Sequence, residues 1–154
     1  MIYNFEGKYA FLSNFDKSPI VDELGIVYPT NEHFFQAMKT LDIAERAAIA
    51  AAPTPGKAKR MGRQVALRPD WEAIKNDVML EGLRKKFADP KLAQKLLNTA
   101  EEHLVEGNTW HDNYWGICHC GRPGCGVGSN MLGNLLMQVR DELRGPDMMA
   151  VEYE

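Results

Sequence analysis

The hydrophobic and polar positions of the chain predict a mainly helical protein with a small β-hairpin near its start. Residues 20–22 and 26–28 are mainly apolar segments on either side of Gly25, a pattern typical of two antiparallel strands joined by a turn. Further along, apolar residues recur every three or four positions, which is the spacing of a helix that buries one face. The predicted helices are a first one from about residue 31 to 40, a second ending at Ala52, a long one after Asp70, one starting at Asp89–Pro90, and a last one capped by Ser129 or Asn130.

Helices dominate this pattern and strands are few, so it predicts the α+β class with a helical core. We find no repeat, low-complexity tract or linker, and therefore predict a single domain over residues 1–154. Residues 107–128 are predicted to form a long loop that holds aromatic residues and all the cysteines. A loop of this length within a compact domain usually has a function.

Composition narrows the class of protein. The chain has 154 residues, 45% of them apolar, and a net charge of −3, which argues against broad, non-specific binding of nucleic acid. No apolar run approaches the length of a membrane span, and the first residues resemble no signal peptide. Three cysteines lie within eight residues, which is not a disulfide framework. A cytoplasmic location in a reducing environment is therefore expected.

Residues 28–39 carry the first candidate site. On a helical wheel Glu32, Gln36 and Lys39 fall within about 60° of one another, while Phe34, Met38 and Leu41 occupy the opposite, core-facing side. Phe35 and Ile43 border the polar stripe. Polar groups held beside apolar walls are typical of a reactive pocket. A surface helix with scattered charges is the alternative.

The position of Glu32 indicates its charge state. Thr30 and Asn31 are both plausible N-caps, so Glu32 lies in the first helical turn, where free N–H groups and the helix dipole favour an ionised carboxylate. Such a group suits a base or a stabiliser of positive charge. Lys39 is two turns further on, and partial burial there would lower its pKa and make it a nucleophile.

Two segments are candidates for binding an anion. Residues 57–68 contain Lys57, Lys59, Arg60, Arg63 and Arg68 and no acidic residue. A solvated basic face would explain that segment as well. Residues 126–130 place glycines before a helix, which lets backbone N–H groups approach a phosphate, although a plain glycine-rich turn has the same sequence.

The loop after residue 106 mixes carboxylates with aromatic side chains. Trp115 or Tyr114 could stack on a planar heterocycle, and Asp112 could bind a sugar hydroxyl. The alternatives are a core plug for Trp115 and an Asx-turn for Asp112. Ser13 and Asn14 stand between aromatic residues and could line a pocket, or form a polar turn at the end of a strand.

The cysteines lie beside histidines in the same loop. His111, Cys118, Cys120 and Cys125 are residue types that bind zinc. The spacing contains no C-x₂-C pair and only three thiols, so reduced cysteines are favoured over a structural metal. We predict that catalysis needs no metal and no cofactor.

These segments together resemble the NADAR family, the YbiA-like N-glycosidases. The match runs in order over nearly the whole chain, through residues 11–15, 28–39, 62–72, 78–87, 104–106, 112–116 and 128–137. The segment 117–125, with its cysteines, is longer than the glycine-rich stretch of the simplest family members.

The resemblance implies a hydrolase of N-glycosyl bonds that cleaves ribose from a nitrogen heterocycle, as in ADP-ribosylated guanine or an early riboflavin-pathway intermediate. ADP-ribosylated nucleic acid is a further candidate substrate, and a non-catalytic ADP-ribose or nucleotide reader is the alternative. In such an enzyme Glu32, Lys39 and Asp112 would be catalytic. The substrate-binding residues would be Ser13, Asn14, Gln36, Arg63, Arg68, Trp71, Trp115, Gly128, Ser129 and Asn130.

Overall fold

The computed structural model of the protein describes residues 1–151, with side chains for residues 1–145. These residues form two compact units. The central unit comprises Asn14–Lys86, and the terminal unit comprises Met1–Ser13 together with the chain from Phe87 onward. The predicted single domain stays a prediction.

The central unit begins with the predicted hairpin. Strand β1 (Ile20–Val21) pairs antiparallel with β2 (Val27–Tyr28), so that Ile20 lies opposite Tyr28. The Asp22 carboxylate holds the turn, because it accepts hydrogen bonds from the backbone N–H groups of Leu24 and Ile26 and from the Tyr28 hydroxyl. The hairpin prediction is therefore confirmed.

Four helices follow the hairpin, and polar side chains cap the first three. They are α1 (Asn31–Ala37), α2 (Ile43–Ala50), α3 (Pro55–Gly62) and α4 (Trp71–Lys86). Thr30, Asp42 and Thr54 are the N-caps of α1, α2 and α3, and each side-chain oxygen accepts backbone N–H groups of the first turn. Of the two caps predicted for α1, Thr30 is the one used.

The sequence did not predict helix α3. The pattern predicted only that the preceding helix ends at Ala52 and that residues 57–68 form a basic segment. Pro55 occupies the first turn of α3, where its missing N–H costs nothing and its fixed φ favours the helix. The proline therefore separates two helices, and Lys57, Lys59 and Arg60 lie on the second of them.

Helix α1 lies at the centre of its unit and packs against α2, α3 and α4. All seven of its residues are buried, polar ones included. Glu32 and Gln36 of the predicted polar stripe are therefore buried, as is Phe34 of the predicted core face, and the alternative of a surface helix is wrong. Leu41, assigned to the core face, follows the end of the helix and is 62% exposed, and Ile43 at the start of α2 is 58% exposed.

The terminal unit combines short strands with two longer helices. It contains a 3₁₀ helix (Gly7–Leu12), α5 (Pro90–Leu97), β3 (Gly107–Asn108), β4 (Ile117–Cys118) and α6 (Met131–Val151). Helix α6 carries a non-helical residue, Gly145, at φ 72°. Helices α5 and α6 pack together, and the core includes Phe11, Phe87, Leu96, Leu104, Leu132 and Leu136.

Residues 104 and 105 pair with the start of the chain. Ile2 and Leu104 form a parallel bridge, and Val105 donates a 2.8 Å backbone hydrogen bond to the Ile2 carbonyl. The loop of residues 107–128 is less irregular than predicted, because β3 and β4 form a two-stranded parallel pair inside it. The predicted α+β class, mainly helical with small sheets, is confirmed. Among the described residues, no helix is both long and apolar enough to cross a lipid bilayer.

Candidate active site

A buried carboxylate held by a buried amide marks the start of α1. Glu32 is 7% exposed and Gln36 is 3% exposed, and Gln36 Nε2 donates a 2.8 Å hydrogen bond to Glu32 Oε1. One helical turn separates the two residues, which is the spacing that lets their side chains meet. The Glu32 backbone N–H donates to the Asn14 carbonyl, so the first turn of α1 is anchored as well. The carboxylate is therefore enclosed and fixed in direction.

Lys39 follows the end of α1 and is half-buried. Burial lowers the pKa of Lys39, and the positive charges of Arg63 and Lys59 lower it further. The negative charge of Glu32 opposes the change. Glu32, Arg63 and Lys59 thus all interact electrostatically with the Lys39 amine. The catalytic roles of Glu32 and Lys39 stay predictions.

Aromatic side chains border this group. Phe35 and Trp71 are both buried, with ring centroids 5.0 Å apart and planes tilted by 58°. The Lys39 Nζ lies 6.0 Å from the centroid of the Phe35 ring, within reach of a cation–π contact. Trp71 therefore packs against Phe35, and its predicted role in binding substrate stays a prediction.

Asn14 and Asn31 form a polar network behind α1. Asn31 Nδ2 donates a 2.8 Å hydrogen bond to Asn14 Oδ1, and Asn14 Nδ2 contacts Met79 Sδ at 3.4 Å. Both asparagines are buried. Asn14 was predicted to bind substrate, and its described contacts fix the helix that carries Glu32.

Gly62 and Gly82 allow helices α3 and α4 to approach the side-chain amides of Gln36 and Asn31 on α1. A Cβ at Gly62 would overlap the Gln36 side chain, and a Cβ at Gly82 would overlap the Asn31 side chain. Sequence reasoning missed both positions. Gly82 stands in the middle of a long helix, where glycine is unfavourable unless close packing requires it, and that was the available signal.

The predicted phosphate ligands Arg63 and Arg68 differ in their surroundings. Arg63 ends α3 and is exposed. The Arg68 guanidinium forms a bidentate ion pair with the Asp70 carboxylate, with Nε–Oδ1 at 2.7 Å and Nη2–Oδ2 at 3.1 Å. Arg68 also donates its backbone N–H to the Lys39 carbonyl at 2.8 Å. Arg68 therefore positions the segment after α1, and Arg63 is the freer candidate for phosphate.

Asp112 in the terminal unit forms the Asx-turn that the sequence offered as an alternative. Its Oδ1 accepts hydrogen bonds from the backbone N–H groups of Tyr114 (3.1 Å) and Trp115 (2.9 Å). The rings of Tyr114 and Trp115 meet edge to face at 4.9 Å between centroids. The turn thus fixes the backbone of this aromatic pair, and the predicted sugar contact of Asp112 stays a prediction.

The backbone N–H groups predicted to bind phosphate at the start of α6 already have partners. Ser129, Met131 and Leu132 donate to the carbonyls of residues 113, 114 and 115 at 2.8–3.0 Å. A Cβ at Gly128 would lie 2.6 Å from the Gly116 carbonyl oxygen, so this glycine permits close packing of two segments. The Asn130 side chain bridges residues 104 and 106. The structure therefore gives residues 128–130 a packing role, and their predicted role in substrate binding has no support from these contacts.

Ser13 ends the 3₁₀ helix in the terminal unit. Its backbone N–H donates a 2.9 Å hydrogen bond to the Ala10 carbonyl, and its side chain is half-buried.

A cavity of about 550 Å³ in the same unit is lined by other residues, among them Tyr3, Thr109, Trp110 and His119.

The sequence did not predict two further features: a buried lysine, and the convergence of four residues that it named as possible zinc ligands. Lys86 at the end of α4 is 2% exposed, and burial lowers its pKa to about 8 although Asp16 opposes the change. The second is a cluster in which the side chains of His111, Cys118, Cys120 and Cys125 converge on one point. The sequence contained all four residues, but their convergence depends on the fold.

Comparison with known proteins gives the class. The sequence model of the NADAR domain matches residues 2–144. The chain belongs to the NADAR family.

Its relatives include the N-glycosidase YbiA of Escherichia coli (strain K12), which is 42% identical over 144 residues, covering 92% of this chain and 86% of that protein. The NMR structure of the E. coli protein YbiA superposes with a TM-score of 0.77 and covers 93% of this chain and 84% of that chain. The chloroplastic riboflavin biosynthesis protein PYRR of Zea mays is 37% identical over 89% of this chain, which spans 24% of that longer protein. The predicted enzyme class, hydrolases of N-glycosyl bonds, is confirmed at the level of the family.

Proposed function

We propose that this protein hydrolyses the C–N bond between a phosphorylated ribose and a nitrogen heterocycle. The observation that carries the proposal is the buried Glu32 carboxylate, which Gln36 holds at 2.8 Å and whose charge acts on Lys39. The names of the relatives, N-glycosidase and riboflavin biosynthesis protein, support the same kind of bond.

Glu32 has the properties that cleavage of an N-glycoside requires. As the C–N bond breaks, positive charge develops on the anomeric carbon and ring oxygen of the ribose. A carboxylate stabilises that charge more strongly in a buried site than in water, because the effective dielectric constant is lower. The hydrogen bond from Gln36 fixes the direction of one carboxylate oxygen before the substrate arrives.

Two chemical routes are open to this pair. In the first, Glu32 takes a proton from a water molecule whose oxygen attacks C1, and the heterocycle leaves with the bonding electrons and gains a proton. In the second, the neutral amine of Lys39 displaces the heterocycle at C1, the sugar ring opens to a Schiff base, and water releases ribose and the free amine. The lowered pKa of Lys39 favours the second route, because more of the amine is neutral at a given pH.

The cations near Lys39 supply a reason for a phosphorylated substrate. Lys59 and Arg63 act on the Lys39 amine. A phosphate placed among these charges would gain charge-assisted hydrogen bonds and reduce their mutual repulsion. Since the Arg68 guanidinium is paired with Asp70, Lys59 and Arg63 are the first candidates for phosphate in the central unit.

Two substrate classes offer both a ribosyl–nitrogen bond and phosphates. One is ADP-ribosylated guanine, as a free nucleotide or within nucleic acid, and the other is an early riboflavin-pathway intermediate. A reader that binds ADP-ribose without cleaving it is the competing function. Release of the free heterocycle from either substrate separates the enzyme from the reader.

The decisive experiment compares Glu32→Gln and Lys39→Ala with wild type on both substrate classes. We expect each variant to lose about 10²- to 10⁴-fold in kcat/KM, the usual contribution of an acid–base or nucleophilic group. Glu72→Gln is the matched control, since Glu72 is 79% exposed and pairs with Lys75 on the surface of α4. Full activity in folded Glu32→Gln or Lys39→Ala would remove that residue from the mechanism.

Borohydride distinguishes the two routes. Under turnover conditions it should reduce the Schiff base and leave a sugar adduct on Lys39, which peptide mass spectrometry would locate. Active protein that shows no adduct would favour direct attack by water. Tight binding of both substrates with no released heterocycle would support the reader and contradict the proposed activity.

A further inference from the structure

Four potential metal ligands meet in the loop of the terminal unit. His111 Nδ1 lies 3.4 Å from Cys120 Sγ, 3.5 Å from Cys125 Sγ and 3.8 Å from Cys118 Sγ. All four ligand atoms lie within 4.8 Å of one another. The sequence favoured plain reduced cysteines because it offered only three thiols at an unfamiliar spacing. The fold supplies His111 as the fourth group.

These separations match the edges of a tetrahedral zinc site. Zinc binds cysteine sulfur at about 2.3 Å and histidine nitrogen at about 2.0–2.1 Å, so the nitrogen–sulfur edges of such a tetrahedron are about 3.6 Å. The three measured His111–cysteine distances scatter around that length. A small rearrangement of side chains would therefore place all four groups on one ion.

The backbone of the loop is shaped to bring the four side chains together. His111 adopts φ 67°, a left-handed conformation that costs energy for a residue with a Cβ. Gly121, Gly124 and Gly126 adopt φ of 82°, 86° and 92°, which allows the chain to turn tightly between Cys120 and Cys125 and after it. This costly backbone conformation of His111 indicates that its imidazole ring must point toward the three cysteine sulfur atoms.

A second layer of contacts orients the cysteines. Asn113 Oδ1 accepts the Cys118 N–H at 3.0 Å, and Asn113 Nδ2 lies 3.5 Å from Cys125 Sγ. The Cys118 carbonyl accepts the Gly126 N–H at 2.7 Å. Outer-layer hydrogen bonds of this kind hold the ligands of metal sites in place.

We infer that His111, Cys118, Cys120 and Cys125 bind one structural Zn²⁺ ion. Thiolate and imidazole ligands select zinc over the hard cations, and four protein ligands leave no open position for catalysis. Three thiolates and one Zn²⁺ carry a net charge of −1, and the Arg122 guanidinium next to His111 offsets it. The ion would join residue 111 to residues 118–125 and so fix the loop that carries Asp112 and Trp115. This inference does not depend on the proposed activity.

Metal analysis of protein made without a polyhistidine tag and without added zinc tests the inference. Mass spectrometry of the elements should find about one zinc per chain. His111→Ala and Cys120→Ser should lose it, and both positions are sufficiently exposed for the substitutions to leave the core intact. His119→Ala is the matched control, because the exposed His119 ring contacts Tyr3 and belongs to no ligand set. His119→Ala should keep its zinc.

Cobalt provides the second measurement. Zinc-depleted wild type should take up Co²⁺ with the intense visible bands of a tetrahedral site and a sulfur-to-metal charge-transfer band, and Cys120→Ser should weaken both. Folded wild type that contains no zinc and gives only an octahedral Co²⁺ spectrum would overturn the inference. Equal zinc content in wild type and His111→Ala, or a disulfide between two of the cysteines in freshly prepared protein, would overturn it too.

Discussion

Helix α1 and the loop of residues 107–128 both hold polar side chains beside aromatic rings, but they fix those side chains by different means. In α1 the helical repeat sets the spacing, and packing by α2, α3 and α4 encloses the whole helix. In the loop, side chains bond to backbone groups, as Asp112 does with Tyr114 and Trp115. Most polar groups of the loop are exposed or half-exposed.

This difference indicates that burial controls reactivity in the central unit, whereas hydrogen bonds to the backbone control conformation in the loop. Burial changes the ionisation of a polar group, and in the central unit it lowers the pKa of Lys39 and of Lys86. Hydrogen bonds between side chains and the backbone mainly fix the conformation of the loop. Substitutions in the central unit should therefore have larger effects than matched substitutions in the loop.

The largest effect expected is the pH dependence that Lys86 gives to stability. Its pKa is about 8 in the folded protein against 10.5 in the unfolded chain, so between these values the unfolded chain holds a proton that the folded protein has lost. The free energy of unfolding should consequently rise with pH over this window, by up to about 3 kcal/mol. Lys86→Met should remove this rise, as measured by urea unfolding at a series of pH values.

Lys85→Met is the control for Lys86. Lys85 is the neighbouring residue on α4, and its side chain is 32% exposed near Glu81. The rise in stability above pH 8 should persist in Lys85→Met. If Lys86→Met shows the same rise as wild type, burial does not set the ionisation of that group and the contrast between the two regions weakens.

The next effect concerns the close approach of α3 to α1. A Cβ at Gly62 would overlap the Gln36 side chain, whose amide holds Glu32. Gly62→Ala should lower the free energy of unfolding by about 1–3 kcal/mol, the usual cost of overpacking, and should reduce kcat as Gln36 moves. Chemical denaturation and steady-state kinetics on the same preparation measure both.

Gly56→Ala on the same helix is the matched control. A Cβ there would meet only Thr54 Oγ1, at 3.9 Å, which is ordinary contact. Its stability should equal or slightly exceed that of wild type, since alanine is the better helix former. Equal stability and activity in Gly62→Ala and Gly56→Ala would show that α1 tolerates repacking and that its enclosure does not fix Gln36.

The features that the sequence predicted depend on near neighbours along the chain. The hairpin around Gly25, the Thr30 cap and the pairing of Glu32 with Gln36 all follow from spacings of a few residues. Helix α3 was missed because Pro55 can end one helix or begin another, and the choice needs the Thr54 cap to be weighed with it.

The features that were missed depend on distant partners. The Ser129 N–H belongs to the segment predicted to approach a phosphate, yet it bonds to the carbonyl of residue 113. Gly62 and Gly82 are required by side chains on another helix. The burial of Lys86 is likewise set by packing. Each of these features depends on contacts between residues that are far apart in the sequence. The spacing of residues along the chain does not reveal such contacts.

The smallest effect expected is that of Asp112, and it separates shape from chemistry in the loop. Asparagine keeps an Oδ1 that can accept the N–H groups of Tyr114 and Trp115, but it removes the charge. If Asp112 also binds a ribose hydroxyl, Asp112→Asn should raise KM about tenfold with little change in kcat, because a charge-assisted hydrogen bond is lost while the turn survives. Asp112→Ala loses the turn as well and should also lower the thermal midpoint. A KM in Asp112→Asn equal to that of wild type would assign Asp112 to the turn alone, and the loop would then differ from α1 in supplying conformation without contacting substrate.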